Sequence, residues 1–329
     1  MFRVGLNPYG LAYTVGLHGA GTPRANPNPI GMAGFIAVAR EVGAEVIELH
    51  GDWLPAMTDA GLMRLGDEFA ALGLVPVISA GLVHRPGETL EDAVRSARLL
   101  RASTIRLGLT PVLEGARSRW GLRWREMITH AADVLVAEAP RAAAAGLTIA
   151  IEDHQDLGSE ELVAMAEAAG DNVGITFDTG NPFAVGEDPV AFAARAADRV
   201  RHVHLKDYRA VFTGEGYRLV RCAIGDGAVP FAEIAGVLGA RHASLSASIE
   251  PGALEARHIR LFAPEWWEGY GPREARELAT AIGRLRAGAV GEGEPWQTPW
   301  ERDAPAREIV EYELIEVRRS AENARKGAW

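Results

Sequence analysis

The stretch Leu147-Thr148-Ile149-Ala150-Ile151-Glu152 reads as a buried strand that ends on an acid. Residues two apart in a strand share a face, so Leu147, Ile149 and Ile151 point one way and Thr148, Ala150 and Glu152 the other. Good helix formers follow over Ser159–Ala169. There Ser159-Glu160-Glu161-Leu162 supplies an expected N-cap and an acidic first turn, and Gly170 a stop. A second apolar run, Val173-Gly174-Ile175-Thr176-Phe177-Asp178, then closes on another acid. One strand, one helix and one strand make a unit, and that unit recurs along the chain.

Working outward, the strands are predicted at Arg3–Asn7, Glu45–Leu49, Leu74–Ser79, Thr104–Leu109, Leu147–Glu152, Val173–Asp178, Val200–Lys206 and Leu245–Glu250. Helical spacing lies between them, as in Ile36, Val38, Ala39 and Val42, or Leu62, Leu65, Phe69 and Leu72. Glycines 43, 73, 146, 170 and 239 fall where left-handed caps are expected. No tight hairpin signal joins neighbouring strands, so they are expected to run parallel. Eight such units close a (β/α)8 TIM barrel, an α/β fold. An open doubly wound sheet would carry Gly-x-Gly-x-x-Gly after its first strand, where this chain has Pro8-Tyr9-Gly10-Leu11. Residues 1–290 are read as the barrel, with long loops at 8–29, 208–228 and 251–270 on the rim where barrels keep their sites. Residues 291–329 are read as a helical C-terminal extension, about Pro305–Arg325, that makes a packing or subunit contact.

Composition narrows the class. The 329 residues are 48% hydrophobic and 24% charged, with 34 Lys+Arg against 44 Asp+Glu and a net charge of −10. That balance argues against nucleic acid as a partner. The single cysteine, Cys222, excludes an internal disulfide framework. The chain has no apolar leader and no run of about 18 apolar residues, so no membrane role and a cytoplasmic location are expected.

Parity picks out the chemistry. The seventh strand puts His202, His204 and Lys206 on one face, and the eighth puts Ser246, Ser248 and Glu250 together. Apolar faces of barrel strands meet the helices, so Glu152, Asp178, His204 and Glu250 are expected inside, at the ends of four consecutive strands. Glu152 to Asp178 and Asp178 to His204 are each 26 residues, one β/α unit apiece. A lone carboxylate at a strand end is usually a cap or a loop ion-pair partner. Four groups at one depth instead suit a divalent cation that relieves the repulsion of crowded carboxylates. Three carboxylates and one imidazole favour Mn²⁺, with Mg²⁺, Co²⁺ and Zn²⁺ as alternatives.

The strings Ala150-Ile151-Glu152-Asp153-His154, Phe177-Asp178-Thr179-Gly180-Asn181, His202-Val203-His204-Leu205-Lys206-Asp207 and Ser248-Ile249-Glu250-Pro251-Gly252 resemble the sugar phosphate isomerase/epimerase superfamily. This xylose-isomerase-like group includes keto-sugar 3-epimerases, hydroxypyruvate isomerase, inosose dehydratase and endonuclease IV. The resemblance covers about residues 1–290, including the turn Gly225-Asp226-Gly227-Ala228-Val229-Pro230. It implies that Glu152, Asp178, His204 and Glu250 hold one metal, and that Glu152 and Glu250 also serve as acid and base. The implied reaction is isomerisation or epimerisation of a carbohydrate through an enediolate. A lyase reaction on the same chemistry is the alternative: sugar-acid dehydration or decarboxylation, or C-glycoside deglycosylation of 3-oxo-glycosides. A homo-oligomer is expected, or a small second subunit in the deglycosidase case.

Two positions depart from the epimerase pattern. Asn181 stands where the epimerases carry a substrate-binding His, and Ala210 where they carry an Arg. Endonuclease-type chemistry needs that His too, which with the acidic charge disfavours DNA repair. His154 is a candidate separate base or an ordinary loop residue. Lys206, one of two lysines in the chain, is a candidate partner for the enediolate or for a rim ion pair. Asn181, Arg106, His50, Trp266 and Trp267 are candidate substrate-binding residues, the tryptophans as stacking platforms or as loop anchors. Glu48 and His84 are further rim candidates.

Overall fold

The repeated unit is realised as a closed parallel barrel. A computed structural model of the chain describes residues 2–328. In chain order its strands are β1 (Phe2–Leu6), β2 (Val46–His50), β3 (Val75–Leu82), β4 (Thr104–Gly108), β5 (Thr148–Glu152), β6 (Val173–Asp178), β7 (Val200–Leu205), β8 (Tyr208–Thr213), β9 (Gly216–Arg221), β10 (Leu245–Ile249) and β11 (Arg257–Ile259). The helices are α1 (Gly31–Glu41), α2 (Asp59–Leu72), α3 (Glu91–Leu100), α4 (Leu122–Ala144), α5 (Ser159–Ala169), α6 (Pro189–Ala196), α7 (Phe231–Gly239), α8 (Ala275–Ala287) and α9 (Ala306–Asn323). Strands β1 to β7 pair in sequence, and β10 closes the ring between β7 and β1. Apolar outward residues such as Ile149, Ile151, Phe177 and Val203 join one continuous core beneath the helices.

Register sets the depth of the site. Asp178 pairs with His204 across β6 and β7, and His204 with Ser248 across β7 and β10. Glu152 pairs with Thr176, two residues before Asp178. Glu250 likewise lies two beyond Ser248. This stagger is the shear that closes a barrel, and it carries all four residues to the C-terminal mouth.

Three expectations are corrected. The segment after β7 is not an irregular loop: β8 and β9 form an antiparallel hairpin, and β11 adds to β9. Gly214 and Gly216 around the turn carried the hairpin signal, but the flanking strands were hidden among charged residues. The second correction concerns the tail. Helix α8 lies across the starts of α6 and α7, tied by Arg284 to Asp188 at 2.6 Å and to Glu233 at 2.8 Å. It is α9 that fills the eighth helix position. Val317 and Ala321 of α9 enter the main core, Arg318 pairs with Glu41 of α1 at 2.7 Å, and Ser320 Oγ accepts from Ile224 N ahead of α7. Residues 306–323, in the C-terminal segment, thus pack on the barrel beside α1 and α7. The third is local: Ser159 is the first helical residue rather than the cap, its amide donating to the buried Glu187, and Gly239 lies inside α7, unlike the left-handed Gly43, Gly73 and Gly146.

Candidate metal centre and active site

Four buried side chains converge at the barrel mouth. Ligand atoms of Glu152, Asp178, His204 and Glu250 all lie within 4.8 Å of one another. His204 Nδ1 stands 2.9 Å from both Glu152 Oε1 and Glu250 Oε2. Lys206 Nζ sits 2.5 Å from Asp178 Oδ2 and 3.0 Å from Glu250 Oε1, and Arg106 forms an ion pair with Glu152. Oδ2 of Asp178, which meets Lys206, and Oε2 of Glu250, which meets His204, have no well-formed hydrogen bond, leaving lone pairs free in the cluster. Three oxygens and one imidazole nitrogen on fixed strand ends fit a divalent cation.

Electrostatics follow from burial and neighbours. Burial alone would lower the His204 pKa, but Glu48 and Glu250 outweigh it and push it up to about 10. Burial opposes ionisation of Glu250, yet Lys206 and His204 hold it well below the usual carboxylate range. Burial raises Asp178 despite the Lys206 ammonium. Burial and then Asp178 push Asp153 well up; its carboxyl accepts from the Asp178 amide. His154 is lowered to about 3 by burial and then by Arg106 and Lys206, which makes it a neutral imidazole.

A cavity of about 360 Å³ opens above the cluster, within the range of small-molecule sites. Arg106, His154, Lys206 and Glu250 line it. His154 Nδ1 is buried without a hydrogen-bond partner. Other sequence candidates stand elsewhere. Asn181 is buried behind the cluster: its Nδ2 donates to Asp153 O at 2.9 Å and its amide to Asp178 Oδ1 at 3.1 Å, so it braces the site and does not face the cavity. His50 accepts from Asp52 N and meets Tyr9 Oη at 2.9 Å, and Tyr9 is what reaches the cavity. Trp266 and Trp267 are corrected to loop anchors. Their indoles donate to Glu114 O and Leu261 O, and Trp266 stacks on Tyr270, so neither ring faces the cavity.

Glu48 lies deeper than the rim position expected from the sequence. Fully buried, it meets His204 Nε2 at 3.0 Å and His202 Nε2 at 3.3 Å. Its inward parity beside Ile47 and Leu49 was the available signal. Tyr9, Gln155, Tyr208, Arg221 and Arg257 also line the cavity. They come from loops and the added sheet, where no periodic pattern marks them.

A family model for the xylose isomerase-like TIM barrel matches residues 36–281. The chain belongs to the xylose isomerase-like TIM barrel family. Within curated proteins, the uncharacterized protein YihM of Escherichia coli (strain K12) is 28% identical over 176 residues, covering 53% of this chain and 51% of that protein. The match thus spans about half the length of that relative. Solved structures share the fold. That of an L-ribulose 3-epimerase has a TM-score of 0.54 at 19% identity, covering 98% of both chains. The IOLI protein with a bound zinc atom has a TM-score of 0.55 at 16% identity, covering 87% of this chain and 96% of that one. At these identities the likeness is one of fold. No helix among the described residues is long and apolar enough to cross a membrane.

Proposed function

We propose that this chain is a divalent-metal-dependent keto-sugar isomerase or epimerase. The observation that carries the reading is the convergence of Glu152, Asp178, His204 and Glu250, with ligand atoms within 4.8 Å, under a cavity of sugar size. These four would hold the ion, Mn²⁺ or, as in the IOLI structure, Zn²⁺. A divalent cation bound there supplies Lewis-acid polarisation of a carbonyl. The chain does the rest. Arg106 is ion-paired with Glu152 and Lys206 with Glu250, and either carboxylate would serve as the base that takes a proton from carbon. Both glutamates approach His204 Nδ1, so a carbon held near that point has two carboxylates within reach. One removes the proton and the other returns it. Return to the opposite face is epimerisation, and return to the neighbouring carbon is isomerisation.

A lyase outcome is the second reading, favoured by His154, whose unpartnered Nδ1 offers a further acid-base group in the same cavity. The deciding experiment incubates the Mn²⁺-loaded protein with free ketoses, sugar acids and 3-oxo-glycosides in D2O. Deuterium appearing in an isomeric sugar, and its loss in Glu250→Gln, supports the proposal. Release of an aglycone or CO2 assigns a lyase, and no exchange in any substrate class overturns both.

A further inference from the structure

The cavity wall is cationic in an acidic protein. Four cations, Arg106, Lys206, Arg221 and Arg257, line it against one carboxylate, Glu250, although the chain carries a net charge of −10. Three of the four are engaged. Arg106 pairs with Glu152, and Lys206 with Asp178 and Glu250. Arg221 donates to Gly10 O at 2.8 Å and Gly252 O at 3.0 Å, and faces Glu313 at 3.8 Å. Among the described residues, the half-buried side chain of Arg257 has no hydrogen bond, ion pair or ring contact. The acid beside it in sequence, Glu255, is taken by His18 at 3.3 Å.

Nor is Arg257 a loose surface residue. It starts β11, pairing with Leu219 of β9, and the next amide, His258 N, donates to Glu114 Oε1 at 3.0 Å. The neighbouring ring of His258 meets Thr213 Oγ1 at 3.0 Å, which further fixes the strand. The other three cations already have carboxylate partners, and the nearby charge of Glu255 is shared with His18, so the Arg257 guanidinium is the donor group left for a ligand. A guanidinium offers paired donors matched to carboxylate and phosphate oxygens.

We propose that the substrate of this site carries an anionic oxygen group, and that Arg257 binds it while the carbonyl end of the sugar lies over Glu152 and Glu250. The proposal rests on the sugar reading above and adds the substrate's charge. The cationic wall also draws such a substrate in against the overall charge of the molecule.

Calorimetric titration of the full-length, Mn²⁺-loaded protein tests it with D-fructose, D-glucuronate and D-fructose 6-phosphate. At least one anion should bind tenfold or more tighter than D-fructose. Arg257→Gln should abolish that advantage with metal content unchanged, and Arg257→Lys should restore part of it. Whether the glucuronate or the phosphate holds the advantage separates a sugar acid from a sugar phosphate. Equal binding of all three probes, or anion binding indifferent to Arg257→Gln, overturns the proposal. Arg257-dependent anion binding in a protein that takes up no metal would support the anion site while overturning the isomerase reading.

Discussion

Glu48 Oε2 lies 3.0 Å from His204 Nε2, on the edge of the imidazole opposite the nitrogen that faces Glu152 and Glu250. With a proton held on Nε2 by this carboxylate, displacement of the Nδ1 proton by a cation would leave that lone pair to the metal, the arrangement that raises the basicity of metal-ligating imidazoles. Burial resists the charge on Glu48, but His204 and His202 hold its pKa well below the ordinary value. Glu48→Ala should weaken metal affinity about 10–100-fold, with Glu48→Gln in between. Competition against a chelator of known affinity measures this. An unchanged affinity in both variants would remove Glu48 from any role in orienting His204.

Lys206 makes a related prediction with a different readout. Its ammonium bridges Asp178 and Glu250, both buried, so Lys206→Met leaves Asp178 without its cation and Glu250 with His204 as its nearest one. Breaking a buried ion pair in this way costs about 3–5 kcal/mol. That loss should appear in denaturant unfolding with EDTA present and shrink when Mn²⁺ is added, because a divalent cation neutralises the same oxygens. An equal loss with and without Mn²⁺ would mean that lysine and metal do not share those carboxylates.

Much of this is legible in the sequence. Period-two alternation exposes the inward face of β5, β6, β7 and β10 because their outward faces are uniformly apolar, and it put Glu152, Asp178, His204 and Glu250 together. Alternation says nothing about what lies between strands. Trp266 and Trp267 read equally well as stacking platforms, and only their bonds to Glu114 O and Leu261 O show them as anchors. The helical pattern of α9 was visible. Its place was not, because a connector of Gly and Pro after α8 hides which helix returns to the barrel. The cavity wall was least legible of all: Tyr9, Arg221 and Arg257 are brought together by tertiary packing of three separate segments.

The placement of α9 explains how the first of those segments is held. Glu313 of α9 is fully buried and accepts from Tyr13 N at 3.1 Å, Thr14 N at 2.8 Å and Thr14 Oγ1 at 2.7 Å. Those residues follow Tyr9 and precede Leu17 and His18, all three on the cavity wall. Glu313→Ala would strand two buried amides and the nearby Arg221, at a cost of about 2–4 kcal/mol. Hydrogen exchange should rise in residues 8–29 more than in β5 or β6. Uniform acceleration across the barrel would instead assign Glu313 to global stability.

Asp156 gives a pH dependence outside the metal cluster. It is fully buried, accepting from Thr110 Oγ1 at 2.7 Å and from Leu157 N at 2.9 Å. Burial outweighs these bonds and Arg117, raising its pKa from 3.8 to about 6. The folded state therefore binds this proton more tightly than the unfolded chain. Below pH 3.8 both states are protonated and no penalty exists; as pH rises through 6 the folded carboxyl must ionise in a dry site, and stability falls. About two pKa units correspond to about 3 kcal/mol. Asp156→Asn keeps the bond from Leu157 N on its amide oxygen, donates through Nδ2 to Thr110 Oγ1 in place of accepting from it, and removes the titration, so the variant should gain up to about 3 kcal/mol on the wild type between pH 4 and pH 6.5. Denaturant unfolding of both proteins across that range checks it, and parallel stability curves would show that Asp156 ionises without cost in the folded chain.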